Sequence, residues 1–251
     1  MERRNWTRNE LIIAFNLYCK IPFGRIHNRN PEIIALAKVL GRTPSALSWK
    51  LANFARLDPA LKRRNIAGAG HGAKLESEVW DEFSQDWEKL SFESERLRSE
   101  VLKKSLSEEI LKPLPEGLTR DALVRVRVNQ GFFRAAVLAA YDSTCCITGI
   151  RVADLLCASH IVPWSVDLKN RTNPSNGLCL NALHDRAFDR GLLTITEDYR
   201  VRLSPLIASL DDPGIETHIR PYDGIKISLP ERFQPGNSFL KYHSRYIYRE
   251  G

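Results

Sequence analysis

The stretch Leu155-Leu-Cys-Ala-Ser159-His160-Ile-Val-Pro163-Trp164, followed after a polar loop by Asn176-Gly-Leu-Cys-Leu-Asn-Ala-Leu-His184-Asp185-Arg186-Ala-Phe188-Asp189-Arg190-Gly191, decides the fold. A short apolar run that stops on a histidine predicts a strand ending at His160, and the run from Gly177 predicts a second short strand. The pattern then predicts a helix from about Ala182 to Arg190, with Gly191 where helices stop.

On that helix Asp185 and Asp189 are one turn apart, so their carboxylates project from one face. Two carboxylates so placed can hold a hard divalent cation that completes its shell with water. A histidine beside such a cation can take the proton of an attacking water while the cation stabilises a pentacoordinate phosphate. His160, Asn176 and the aspartate pair therefore read as one hydrolytic site. Either Asp185 or its neighbour His184 can face the metal; the face shared with Asp189 favours Asp185.

This segment resembles the HNH (ββα-metal) nuclease superfamily, in particular a restriction-like subgroup with an Ala/Ser-His-Ile-x-Pro-Trp start and an Asn-Gly-Leu…Phe-Asp-Arg-Gly-Leu finish. The flanks agree: Arg127-Val-Asn-Gln130-Gly-Phe-Phe-Arg134, Cys145-Cys-Ile-Thr-Gly149 and Phe239-Leu-Lys-Tyr-His243 resemble the subgroup's surroundings, so the likeness spans roughly residues 120–248. It implies that His160 is the general base, that Asn176 orients its imidazole, and that Asp185 and Asp189 are metal ligands. The sequence departs from the family in three places. Asp185 stands where His is commoner. Ser159, a weaker ligand, stands where many relatives have a metal-binding Asp or His. Cys145 and His184 occupy two positions of the family's zinc knuckle, but Thr148 and Asn181 replace the other cysteines, so no structural zinc is expected.

Outward from this core, Leu192 to Ser204 carries two β-rich runs split by Thr196-Glu-Asp-Tyr199, a hairpin pattern. One more strand is expected at Ile225–Leu229 and a closing helix from Phe239 to Tyr248. Before the core, Leu123-Val-Arg-Val-Arg-Val-Asn129 alternates like a half-buried strand, and Gln130 to Tyr141 reads as a helix. Trp164 and Phe188 are expected in the core, and His243 has no partner spacing that assigns it a role.

The N-terminal part predicts helices. Thr7 and Glu10 form a capping box before Leu11, Phe15 and Tyr18; Pro31 opens a second helix that Gly41 closes; Thr43-Pro44 opens a third running through Phe54. Helix, glycine turn, helix fits either a helix-turn-helix or an ordinary αα-hairpin. Trp6, Trp49, Trp80 and Trp87 are expected to fill this core. The chain carries a net charge of +7, and residues 1–74 hold 14 Lys/Arg against 4 Asp/Glu. That balance tips the expectation toward nucleic acid, with Arg42, Lys50, Arg56, Lys62, Arg63 and Arg64 as candidate DNA contacts.

No apolar run reaches the ~20 residues of a membrane span, and the N-terminus lacks a secretory core, so a cytoplasmic protein without membrane contact is expected. An odd count of five cysteines argues for reduced thiols. The expected architecture is α+β: a basic helical domain at 1–90, a helical linker at 91–116 ending in Pro113-Leu-Pro115, and a ββα-metal domain with additional strands at 117–251. The expected function is metal-dependent hydrolysis of DNA in a restriction-like, defensive role. Mg²⁺ or Mn²⁺ is the expected cofactor and a homodimer the expected assembly. The alternatives are a DNA-binding regulator that has lost catalysis, and a nuclease that cuts RNA.

Overall fold

The computed structural model describes residues 4–64, 72–103 and 120–251, with side chains from 123 in the last stretch. The Gly68–Gly72 run and Pro113-Leu-Pro115 fall wholly or mainly outside them. The chain forms two compact units, Met1–Ala136 and Val137–Gly251. This division lies later than the 91–116 stretch.

The first unit is helical. The helix α1 (Arg8–Lys20) starts at the expected capping box: the Thr7 side chain accepts from Glu10 N–H, and the Glu10 carboxylate accepts from Thr7 N–H at 2.9 Å. The helix α2 (Pro31–Val39) starts on an Asn30 cap, and Gly41 leaves it with φ of +62°, a left-handed conformation that glycine adopts without strain. The helix α3 (Pro44–Leu57) begins at Thr43, whose hydroxyl accepts from Ala46 N–H. The short α4 (Pro59–Arg63), then α5 (Lys74–Phe83) and α6 (Trp87–Leu102), complete the layer around α1. Phe15 is the hub, with ring centroids 4.9 Å from both Phe54 and Trp80. Because α6 packs on α1 and buries Leu90 and Leu97, residues 91–102 belong to this core rather than to a linker.

The alternating stretch 123–129 is not a strand. It lies within α7 (Arg120–Ala140). Alternation over seven residues also leaves pairs of apolar side chains on one side of a helix. Once the Ala-rich segment after Gln130 is helical, each further turn avoids a new nucleation step.

In the second unit β1 (Leu156–His160) and β2 (Gly177–Asn181) pair antiparallel, with Leu156 opposite Asn181 and His160 opposite Gly177. They lead into α8 (Ala182–Asp189), which packs on both strands. The expected hairpin forms as β3 (Leu193–Ile195) with β4 (Val201–Leu203). The strand expected at Ile225–Leu229 is reduced to a single bridge, Arg200 with Lys226. Its backbone is shared: Ile227 N–H bonds Tyr199 O, whereas Ser228 N–H turns to Cys146 O at 2.8 Å. The short helices α9 (Pro205–Ala208) and α10 (Pro213–His218) precede the closing α11 (Asn237–Tyr246). A helical unit followed by a ββα core with a further hairpin is an α+β arrangement. Among the described residues the cysteines are free thiols, and no helix is long and apolar enough to cross a membrane.

Candidate active site

The site rests on the β1–β2–α8 unit. Every residue of β2 is buried, so its register against β1 is fixed by core packing and His160 is held at the strand end. Asn181 closes β2 and caps α8 by accepting from His184 N–H at 3.0 Å. Gly191 ends the helix with φ of +66°, and a Cβ there would collide with the Ile247 carbonyl, so both the conformation and the space demand glycine.

His160 is half-buried. Its Nε2 lies 2.8 Å from the carbonyl oxygen of Arg171, and a carbonyl only accepts, so the ring carries its proton on Nε2 and its basic lone pair on Nδ1. Burial lowers its pKa from the ordinary histidine value and so favours the neutral ring, while the bond to Arg171 pulls the other way. The ring of Trp164 stands edge-on to it at 5.6 Å, and the Arg171 guanidinium lies 5.2 Å from the indole centroid. Trp164 is therefore a half-buried wall beside the histidine rather than an interior packing residue.

Asn176 is fully buried and does not bond the imidazole. Its Oδ1 accepts from Val162 N–H at 2.8 Å and its Nδ2 donates to Val162 O at 3.0 Å, a two-sided clamp on the chain just past His160. The same Nδ2 also reaches Asn170 O at 3.3 Å, next to Arg171. The orienting role expected of Asn176 is thus indirect: it shapes the loop whose carbonyl holds the ring.

Asp185 and Asp189 lie four residues apart on α8. Burial raises the pKa of Asp189, and the negative charge of Asp185 raises it further against the pull of Arg186 and Arg190. Two mutually repelling carboxylates on one helix face fit a hard divalent cation, which would relieve that repulsion. Among the described residues no group of three or more His, Cys, Asp or Glu is placed to hold a metal ion, so waters or substrate oxygens would complete its shell. Ser159 alternates with His160 along β1 and so points to the other side of the strand; its hydroxyl is buried with no hydrogen-bond partner among the described residues.

His184 belongs to a different cluster. The Asn181 amide donates to His184 Nδ1 at 2.9 Å and to Thr148 Oγ1 at 3.2 Å, while Asn181 N–H donates to Cys145 Sγ at 3.2 Å. The four knuckle positions converge through these hydrogen bonds, while His184 Nε2 is buried with no hydrogen-bond partner among the described residues. Burial pushes the His184 pKa down to about 4, and its ring meets Tyr222 edge-on at 5.1 Å. The alternative in which His184 joins Asp189 as a ligand would have to use Nε2, since Nδ1 is engaged by Asn181.

The N-terminal cations divide. Arg42 is a buried staple: it bonds Glu10 at 2.8 Å and the carbonyls of Arg4 and Asn5, and lies 4.6 Å over Trp6. Lys50 pairs with the fully buried Glu76. Neither has its charge available for phosphate, which corrects the expectation for both; a basic residue near a turn is as useful for tying the turn down as for meeting DNA. Arg56 is partly buried, whereas Lys62, Arg63 and Arg64 are exposed. Trp80 is core as expected, but Trp49 is 61% exposed.

Two contributors escaped sequence reasoning. The Arg171 contact is made by backbone and leaves no residue-type signal. His243 is buried where α11 meets α8: it stacks on Phe188 at 3.7 Å, its Nε2–H donates to Phe188 O at 3.1 Å, and its Nδ1 accepts from the Thr194 hydroxyl at 2.8 Å. The Phe239–His243 motif hinted at it, but its partners are about fifty positions away in the chain.

Residues 145–196 match the family model described as HNH endonuclease. A search of curated proteins found no match. The matched segment contains β1, the Asn176 loop, β2, α8 and β3.

Proposed function

From an HNH endonuclease domain at residues 145–196, a family of nucleases that generally use a divalent metal, we propose that this protein is a metal-dependent DNA endonuclease. The observation that carries it is the tautomer of His160, fixed by the Arg171 carbonyl so that a neutral Nδ1 accepts protons. In the proposed reaction Nδ1 takes a proton from water as its oxygen attacks phosphorus in line. The bond from phosphorus to the 3′ oxygen breaks and that oxygen takes a proton from solvent, leaving a 5′-phosphate on one fragment and a 3′-hydroxyl on the other. Asp185 and Asp189 would hold a divalent cation, Mg²⁺ or Mn²⁺, which would supply Lewis-acid stabilisation of the charge on the phosphate and the leaving oxygen. Asn176 keeps the loop, and through it the ring, in place.

A role in restriction and defence follows from the subgroup resemblance. Cutting both strands with one site per chain favours a homodimer. The exposed Lys62, Arg63 and Arg64 add phosphate contacts.

The test is nicking of supercoiled plasmid with Mg²⁺ or Mn²⁺. Loss of nicking in His160→Ala, with DNA binding retained, supports the reading. A parent protein that binds but never nicks would make it a regulator that has lost catalysis. Faster cleavage of RNA than of DNA of matched sequence would change the substrate.

A further inference from the structure

The helix α3 buries Leu47, Leu51 and Phe54 on one side and turns Trp49 outward. Tryptophan has more apolar area to hide than any other side chain, and a fold gains nothing by leaving it in water. Trp49 shares its face with Ser45, four residues before, and Ala52, three after, so the outward strip of α3 presents a hydroxyl, an indole and a methyl group. Of the cations on or beside this helix, Arg42 and Lys50 are turned inward to Glu10 and Glu76, and Arg56, one turn past Ala52 on the same side, is partly buried.

Charge lies beside the strip instead. Asn28 Nδ2 donates to Ser45 Oγ at 3.1 Å, tying the loop before α2 to the first turn of α3. That loop exposes Arg25 and Arg29. A ridge of helix with an aromatic at its centre, next to the exposed Arg29 guanidinium, complements a partner whose phosphates form the rim and whose base edges lie within. The major groove of B-form DNA admits an α-helix, whereas that of A-form RNA is too narrow for one.

We propose that the strip Ser45–Trp49–Ala52 of α3 enters a groove of duplex DNA, with Trp49 covering base edges and Arg29 meeting a flanking phosphate. This rests on the nuclease reading for the identity of the substrate, but it concerns binding and is testable without cleavage.

The full chain carrying His160→Ala is titrated against a fluorescein-labelled duplex of mixed sequence, read by anisotropy over a range of salt. Adding Trp49→Ala is expected to weaken binding about tenfold with no change in the slope of log affinity against log salt, since no charge is lost. Trp49→Phe is expected to restore most of the affinity. Arg29→Ala is expected to weaken binding and lower the slope by about one. The melting temperature of Trp49→Ala should match its parent, because an exposed side chain supports no packing. Duplex affinity unchanged by Trp49→Ala, or an equal loss on double-stranded RNA, overturns the proposal. Absence of nicking by the unmodified protein overturns the nuclease reading alone.

Discussion

The imidazole of His160 hangs from the main chain of Arg171: Nε2–H donates to its carbonyl at 2.8 Å, so a loop residue eleven positions away decides which ring nitrogen is basic. The bond makes the ring's orientation a property of the loop.

Replacing His160 by Ala removes the proton acceptor and is expected to lower the nicking rate by about 10²- to 10⁴-fold while leaving DNA affinity unchanged. Nicking at the parental rate would show that another group serves as base. Because burial lowers the pKa of His160, the fall in rate with falling pH should have its midpoint below the ordinary histidine value. A rate already halved above pH 7 would contradict that assignment.

For the aspartate pair, the charge of Asp185 raises the pKa of Asp189. Asp185→Asn should therefore shift the Asp189 titration, followed by carbon NMR of the carboxyl, to lower pH. The same substitution is expected to raise the metal concentration for half-maximal nicking roughly tenfold or more. An unmoved Asp189 titration would place the two carboxylates too far apart to share an ion.

His243 and His184 make the second unit sensitive to acid. Burial pushes both down to about 4, below the ordinary 6.5, so the unfolded chain binds more protons than the folded one between those values. Stability is full above the unfolded value and falls as pH drops through this window. Each ring contributes on the order of 3 kcal/mol to that loss. Urea melts at pH 7 and pH 4.5 measure it. His243→Ala should cost about 2–4 kcal/mol at pH 7 by stranding Phe188 O and the Thr194 hydroxyl. It should also flatten the acid dependence, and an unchanged dependence would remove His243 as its source.

Arg42→Ala should behave as a core lesion rather than as a lost DNA contact. It leaves the buried Glu10 carboxylate with only the more exposed Arg4 as a cationic partner, and is expected to cost about 3 kcal/mol in denaturant unfolding of the first unit. The salt slope of DNA binding should not change. Neutralising Lys62, Arg63 and Arg64 should do the reverse, lowering the slope at little cost in stability.

Local signals carried much of this molecule. The Thr7–Glu10 box, the Thr43 cap, the stop at His160 and the glycine at 191 are each decided by neighbours in sequence, and each could be read there. The destinations of long side chains could not. Arg42 and Lys50 reach Glu10 and Glu76, partners 32 and 26 residues away, and nothing in their own surroundings distinguishes an inward cation from an outward one. The stretch 123–129 shows the same limit for backbone: seven alternating residues satisfy a strand, and the adjoining helix overrules them. At the proposed site, His160 and the aspartates are legible because the proposed chemistry would use those side chains. The Arg171 carbonyl is invisible because any residue could supply it.

The meeting of Gly191 with Ile247 bears on where the catalytic cassette ends. Gly191 O accepts from Arg249 N–H at 3.0 Å, and the Ser204 hydroxyl also bonds the Arg249 carbonyl. The tail thus closes over the end of the helix that carries Asp189, some fifty residues past the recognisable motif. Grafting only the motif into another scaffold would transplant the chemistry without its keystone; a portable version has to run to at least Arg249.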